Sequence, residues 1–404
     1  MRLPRYGSTR QVGDRLRVAM VGGYPINPEQ IRGGVQAATA YLVRGLAKIS
    51  DLEMHIIAFK QPGWVGPDQI DQNGVKIHFL RMYPRFERLR NYRRYQAILN
   101  QTLAQIQPDV VHAQEASADA YVAIRSGYPT IVTAHGIRRE DGKYFSSLRK
   151  RLRFYFDSVL IEHYVIRHMH HLIAISHYVT DYFAPLLAPD LKVYFVPNAI
   201  DERFFEILGI AEEPAVLFAG SVIPRKRVQD LVLAFERVTR QLPLAQLRIA
   251  GECSSEPSYV EALRRQIDQA GLGENIHLLG PLSEPMVFRE FSDCKFLVLP
   301  SSQETTPMVL AQAMAAGMPV IATRVGGVAE MVGENCERGL LIDSGDIDGL
   351  ADAMLRLLQD PDQCSRLGRA GRMFAGENYH VDQVAQRTGE IYKNLQAWEL
   401  RTNA

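Results

Sequence analysis

One carboxylate in the second half of the chain sits where chemistry is expected. Glu304 lies in a short polar loop, SSQETT (301–306), between the apolar run FLVLP (296–300) and the alanine-rich run VLAQAMAA (309–316). The apolar run reads as a strand. The alanine-rich run reads as a helix closed by Gly317 and Pro319, with VIAT (320–323) as the next strand. Glu304 therefore belongs at the carboxyl end of a strand, just before a helix N-terminus. In open α/β sheets ligands bind at such places, and the unpaired amides of a helix start favour phosphate. The same context recurs upstream. AVLFAG (215–220) is a strand and glycine turn, followed by a loop carrying Arg225, Lys226 and Arg227 and then a helix. Near the start, LRVAMVGG (16–23) is a strand ending in glycines, and Gly33-Gly34 immediately precedes an amphipathic helix. Glycines there let backbone approach a ligand closely.

Other candidates carry less. TIVTAHGI (130–137) is a strand ending in His135-Gly136, and PDVVHAQE (108–115) places Gln114 and Glu115 at a neighbouring strand end. The cluster His168, His170 and His171 invites a metal, but it abuts the strand LIAIS and shows no carboxylate or cysteine partner. Asp346-Ile-Asp348 has the form of a metal-binding Asp-x-Asp, yet its place at a helix start predicts N-capping and dipole compensation instead. Cys253, Cys294, Cys336 and Cys364 are widely spaced and match no zinc pattern. The Gly33-Gly34 loop is not GxGxxG, which argues against a dehydrogenase.

Taken together, ETTPMVLAQAMAAGMPVIA resembles the signature of retaining, nucleotide-sugar-dependent glycosyltransferases of the two-Rossmann-domain (GT-B) type, family 4, and the resemblance runs along nearly the whole chain. It implies an α/β architecture of two Rossmann-like domains facing across a cleft. Residues 1–200 would form the acceptor domain, 201–375 the donor domain, and 376–404 a helix returning to the first. VPNAID (196–201) resembles the Val-Pro-Asn-Gly-Val-Asp that marks the crossing.

The resemblance also implies roles. Glu304 would bond the sugar hydroxyls, and the cleft histidine of the family corresponds to His135, near donor sugar and acceptor. Gly33, Gly34 and Gly251 would line the donor site. Lys226 takes the place of the lysine that grips the donor diphosphate. Ser221 stands where the family has arginine, so Arg225 or Arg227 would substitute. Breaking a sugar–diphosphate bond develops negative charge on the leaving group, which preorganised cations stabilise most in the transition state. Backbone amides of Thr305, Thr306 and Met308 would line sugar and diphosphate, and the helix from Val309 would turn its positive end to the phosphates. The family pattern is Glu, seven residues, Glu; here the second position is Gln312, which bonds ribose hydroxyls only as a neutral group. Pro307, where glycine is common, removes a backbone N–H.

The expected reaction is retaining, metal-independent transfer of a hexose to a glycan, glycolipid or lipid-linked acceptor, in cell-surface polysaccharide synthesis. No cofactor is expected, the co-substrate being a nucleoside-diphosphate sugar, UDP-sugar ahead of GDP-sugar. The departures at Ser221, Pro307 and Gln312 motivate an alternative, a non-catalytic nucleotide-sugar-binding subunit. A GT-B-like epimerase, or a phosphorylase carrying pyridoxal phosphate, is a further enzyme reading.

Composition agrees with an ordinary soluble globular protein. The chain has 404 residues, 47% hydrophobic and 23% charged, enough for two cores. No apolar run reaches the roughly 20 residues that span a bilayer. Residues 1–17 are basic but lack the apolar segment of a signal peptide, and a reducing cytoplasm fits the cysteines. The net charge of +1 conceals an asymmetry. Residues 1–200 hold 26 Lys and Arg against 16 Asp and Glu, and residues 201–404 hold 20 against 29. The excess concentrates in RMYPRFERLRNYRRY (81–95) and SLRKRLRFYF (147–156). Two readings stand: solvated helix faces, or a surface held against anionic lipid or a lipid-diphosphate acceptor. No nucleic-acid module accompanies the charge, so nucleic acid is not an expected partner.

Overall fold

The computed structural model describes residues 15–25, 31, 33–60, 66–80, 87–207, 211 and 213–402, the last five as backbone only. Of the basic stretches named above, 1–14 and 81–86 lie outside the described residues.

Two parallel sheets carry the fold. The first has eight strands: β1 Leu16–Val21, β2 Leu52–Phe59, β3 Gln69–Gln72, β4 Val75–Leu80, β5 Val110–Gln114, β6 Thr130–Ala134, β7 His171–Ala174 and β8 Lys192–Phe195. Their spatial order is β3-β4-β2-β1-β5-β6-β7-β8, and only the β3–β4 edge is antiparallel. The second sheet has six: β9 Ala215–Ala219, β10 Gln246–Ala250, β11 Ile276–Gly280, β12 Phe296–Leu299, β13 Val320–Thr323 and β14 Leu340–Ile342. Its order is β11-β10-β9-β12-β13-β14, parallel throughout.

The central strands bury both faces, which is why they read as continuous apolar runs without alternation. VVHAQ of β5, FLVL of β12 and VIAT of β13 are buried at every position. In each sheet the strand order reverses beside its first strand, between β1 and β5 and between β9 and β12. Ligands bind at such switch points, outside the carboxyl ends of the strands. The loops after β1, β5, β6, β9, β10 and β12 carry the residues singled out above.

The edge strand β3 escaped the sequence reading. β3 and β4 form a hairpin around Asn73 and Gly74, both at positive φ, the conformation a two-residue hairpin turn requires. QIDQ is short and never fully buried, so hydrophobic patterning leaves it silent. The basic stretch that begins at 147 opens a helical run in three pieces: α-helical Leu148–Asp157, a π turn at Ser158–Glu162, and α-helical His163–His168.

The two sheets are joined twice, side by side. Ile200 donates its N–H to Tyr379 O (2.7 Å), and Val381 donates to Ile200 O (3.1 Å). After the second crossing the helix Val381–Thr402 packs on Gly34–Ala47. The approach is closest at Gly45, where a Cβ would stand 2.7 Å from that of Ala385 and 2.9 Å from Val381 O. Only glycine permits it. Tyr392 on the same helix is fully buried beneath β5, its hydroxyl 2.6 Å from His112 Nδ1.

Candidate functional site

Because β9 and β12 are neighbours, the loops that follow them meet. Lys226 Nζ donates to Glu304 Oε1, which also accepts from Ser301 Oγ (2.6 Å). Arg225 Nη1 lies 3.3 Å from Glu304 Oε2 and donates to Gln303 O (2.7 Å). The loops are also joined through backbone, Ser302 N to Arg225 O at 2.8 Å. Lys226 and Glu304 are both buried. Burial alone would raise the Glu304 pKa. The Lys226 and Arg225 cations, with the hydrogen bonds from Lys226 and Ser301, outweigh it and hold the carboxyl below the usual range. Burial lowers the Lys226 ammonium from its ordinary value, and Glu304 opposes that shift.

The carboxylate loop is pinned from behind by glycine. At Gly326 φ is +53°, and a Cβ would lie 1.7 Å from Glu304 O. Gly327 N donates to Thr305 O (3.1 Å). Under the basic loop, Gly251 has φ +150°, and a Cβ there would meet Gly220 O at 1.9 Å. The signature helix is Met308–Ala315, starting one residue before the expected Val309, with Pro307 as its N-cap. Gln312 is half-buried, its Nε2 3.5 Å from the Tyr41 hydroxyl.

Strand ends of the first sheet face this loop pair. A Cβ on Gly34 would contact Met308 Cγ at 3.5 Å, so the helices begun by Gly33-Gly34 and by Pro307 start close together. Asp141 Oδ1 lies 3.6 Å from Arg225 Nε, and Tyr144 donates its hydroxyl to Ser302 O (3.4 Å). Glu330 of the second sheet caps the helix His177–Phe183 of the first, accepting from His177 N and Tyr178 N, both at 2.9 Å. Such a cap satisfies two otherwise orphaned helix-start amides.

His135 lies just past β6, partly buried. Its Nε2 is 2.7 Å from Gln114 Oε1. A side-chain amide oxygen only accepts, so Nε2 carries the proton and Nδ1 is left as an acceptor. Burial pushes the His135 pKa down to about 4, and the Asn198 side chain beside the ring partly offsets this. Gln114 sits over His112, whose Nε2 is 2.7 Å from Thr133 Oγ1 and whose Nδ1 meets Tyr392. A continuous polar chain thus runs from the cleft histidine to the returning helix. Gln114, Thr133, His135, Asn198 and Thr388 edge a cavity of about 20 Å³, room for one water.

Buried polar side-chain atoms nearly always have partners. Among the described residues nine such atoms have no hydrogen-bond partner, and four of them, His135 Nδ1, Ser176 Oγ, Gln303 Nε2 and Thr306 Oγ1, belong to these facing loops.

Several sequence expectations change. Arg225, not Arg227, stands at Glu304; Arg227 bonds Asp230 through Nε and is turned toward Gly345. The histidine cluster has a carboxylate neighbour after all, Asp190 at 3.6 Å from His170. Its members diverge, His168 to Tyr164 O and His171 to the Tyr194 hydroxyl. Asp346 accepts from Gly349 N (2.8 Å) as a helix cap, and Asp348 pairs with Arg237. Asp141 and Tyr144 had no sequence signal, since their partners lie on the other sheet. Gln114 had been placed at a strand end, but its bond to His135 depends on the β5–β6 register, Gln114 opposite Thr133.

Two Rossmann-like sheets with their strand ends turned toward one cleft define the GT-B fold. Residues 33–199 match the model of the glycosyl transferase 4-like domain, and residues 200–374 that of glycosyl transferases group 1. The chain belongs to the group 1 glycosyltransferases of family 4. It is 28% identical over 232 residues to N-acetyl-alpha-D-glucosaminyl L-malate synthase of Bacillus anthracis, a match covering 55% of this chain and 59% of that protein's length. Sucrose-phosphate synthase from Thermosynechococcus elongatus superposes with a TM-score of 0.79 at 22% identity, covering 95% of this chain and all of that one. Alr3699/HepE of Anabaena, in complex with UDP and glucose, superposes with a TM-score of 0.72 at 18% identity, covering 94% and 100%. These two likenesses speak for the fold.

Proposed function

We propose that the protein transfers a hexose, with retention, from a nucleoside-diphosphate sugar to a glycan, glycolipid or lipid-linked acceptor, without a metal. The observation that carries this reading is the convergence of Arg225, Lys226 and Glu304 at the switch point of the second sheet, opposite His135 and the Gly33-Gly34 helix start. UDP-sugar is the favoured donor, in keeping with the UDP and glucose named for the Anabaena relative in fold.

Each residue has a role that its surroundings support. Lys226 and Arg225 neutralise the diphosphate as the bond to the sugar breaks, and the amides at the start of Met308–Ala315 assist. Glu304 accepts from sugar hydroxyls. It is a poor nucleophile, because one oxygen already accepts two hydrogen bonds and the other faces Arg225. Retention then proceeds by front-face attack. The acceptor oxygen bonds to the anomeric carbon while the carbon–oxygen bond to the diphosphate breaks, and the acceptor hydroxyl proton passes to the departing phosphate oxygen. The unprotonated Nδ1 of His135 is free to accept from a sugar or acceptor hydroxyl.

The test is hydrolysis of a UDP-sugar panel without acceptor, with the released anomer followed by NMR. Turnover of one donor with release of the original anomer is expected, and Glu304→Gln lowers the rate at least 100-fold, the size typical for loss of a positioned polar group. Full turnover by Glu304→Ala would remove Glu304 from the site.

A further inference from the structure

A second surface, on the first sheet's side of the molecule, is built unlike the rest of the exterior. The helix Leu148–Asp157 and its π-turn continuation expose Leu148, Leu152, Tyr155, Phe156, Val159 and Leu160, each 40% to 67% accessible. Their spacing of four, three, one, three and one places them along one side of the helix, the periodicity that normally marks a face packed on a core. Here that face points to solvent.

The opposite side is fastened. Phe154 packs against Phe145 in a tilted arrangement, with ring centroids 4.8 Å apart. Asp157 is buried and paired with Arg88. Lys150 reaches the second sheet's side, donating to Ser255 O (3.1 Å) and Glu256 Oε1 (3.2 Å). The apolar stripe is therefore a fixed feature of the folded chain.

Charge frames the stripe. Arg149, Arg151 and Arg153 are exposed on the same helix. Beyond Arg88 the neighbouring segment adds exposed Arg90, Arg93 and Arg94, with Leu89 86% accessible among them. Among the described residues no ion pair is formed by Arg90, Arg93, Arg94, Arg149 or Arg151. The only carboxylates between Lys143 and Asp181 are Asp157 and Glu162, and both are buried. Contiguous apolar exposure on a monomeric protein marks a contact site. An aliphatic and aromatic stripe edged by unopposed arginines complements an anionic lipid surface, where rings and aliphatic chains enter at headgroup depth and each arginine adds attraction. No helix among the described residues is long and apolar enough to cross a membrane, so the helix would lie along the surface.

We infer that the face formed by Leu148–Leu160 and Arg88–Arg94 docks the protein on an anionic bilayer. The inference stands apart from the donor-site reading, and its readout needs no nucleotide sugar. Full-length protein is sedimented at low salt with phosphatidylcholine vesicles, with and without phosphatidylglycerol. The wild type is expected in the pellet only with the anionic vesicles and to be released by salt. Leu152→Ser/Phe156→Ser and, separately, Arg149→Gln/Arg151→Gln/Arg153→Gln are expected to stay in solution with unchanged melting temperature. For the triple arginine variant the loss of affinity is about 100-fold. Wild type remaining in the supernatant with anionic vesicles overturns the inference. So do variants that pellet like wild type, or a wild-type dimer that the Leu152→Ser/Phe156→Ser change converts to monomer without altering sedimentation with vesicles.

Discussion

Lys226 and Glu304, 78 residues apart, form a buried ion pair between the loops that follow two adjacent parallel strands, with Ser301 as a third partner. In the proposed reaction these are the groups that meet the diphosphate and the sugar. Their mutual pairing holds both in place and keeps Glu304 ionised.

Removing one member of a buried pair leaves the other uncompensated, at a cost of about 3–5 kcal/mol. Lys226→Met and Glu304→Gln should each lower the unfolding free energy toward that size, and the double variant should lose less than the sum. Urea denaturation of the four proteins measures the coupling, expected at about 1–3 kcal/mol. Additivity would mean that the pair is not made in solution.

The proton on His135 is set by Gln114. With its pKa near 4, His135 is neutral at ordinary pH, and turnover should show no acid limb near 6.5. The folded value lies below the unfolded one. The stability this brings is therefore present above about 6.5 and is lost as pH falls toward about 4. Gln114→Glu places a carboxylate 2.7 Å from Nε2, which raises the His135 pKa and should bring an acid limb into the rate profile between about pH 5 and 7. Gln114→Leu should lower kcat more than it raises KM. Rate–pH profiles of the three proteins check both outcomes.

Much of the fold could be read from the chain. The buried parallel strands are continuous apolar runs, and the glycines after β1, β9 and β10 mark their carboxyl ends. The edge was less legible, because QIDQ of β3 alternates around partial exposure and is held by its hairpin. Of the candidate site, Glu304 and Lys226 were visible as residue types at strand ends, whereas their contact follows from β9 lying beside β12. Asp141, Tyr144 and Glu330 act across the two sheets, a relation that no local pattern encodes. The exposed stripe of Leu148–Leu160 has the periodicity of a core face, so periodicity alone could not say which way it points.

Gln312 is the departure with the clearest consequence. Were Gln312 to meet the ribose, as the family resemblance implies, its neutral amide would make weaker hydrogen bonds to the hydroxyls than a carboxylate. Gln312→Glu should tighten UDP binding by about fivefold, the ratio expected when one hydrogen bond becomes charge-assisted. Isothermal titration of the two proteins gives the ratio directly, and weaker binding by the glutamate form would place the ribose elsewhere.

The most direct test of the donor site is calorimetric titration of UDP into the wild type and into Lys226→Met, with melting temperatures recorded alongside. The account predicts saturable binding to the wild type, and at least a tenfold loss in the variant while it remains folded. Equal affinity in the two, or no binding of any nucleoside diphosphate to the wild type, would contradict the assignment of the diphosphate to Lys226.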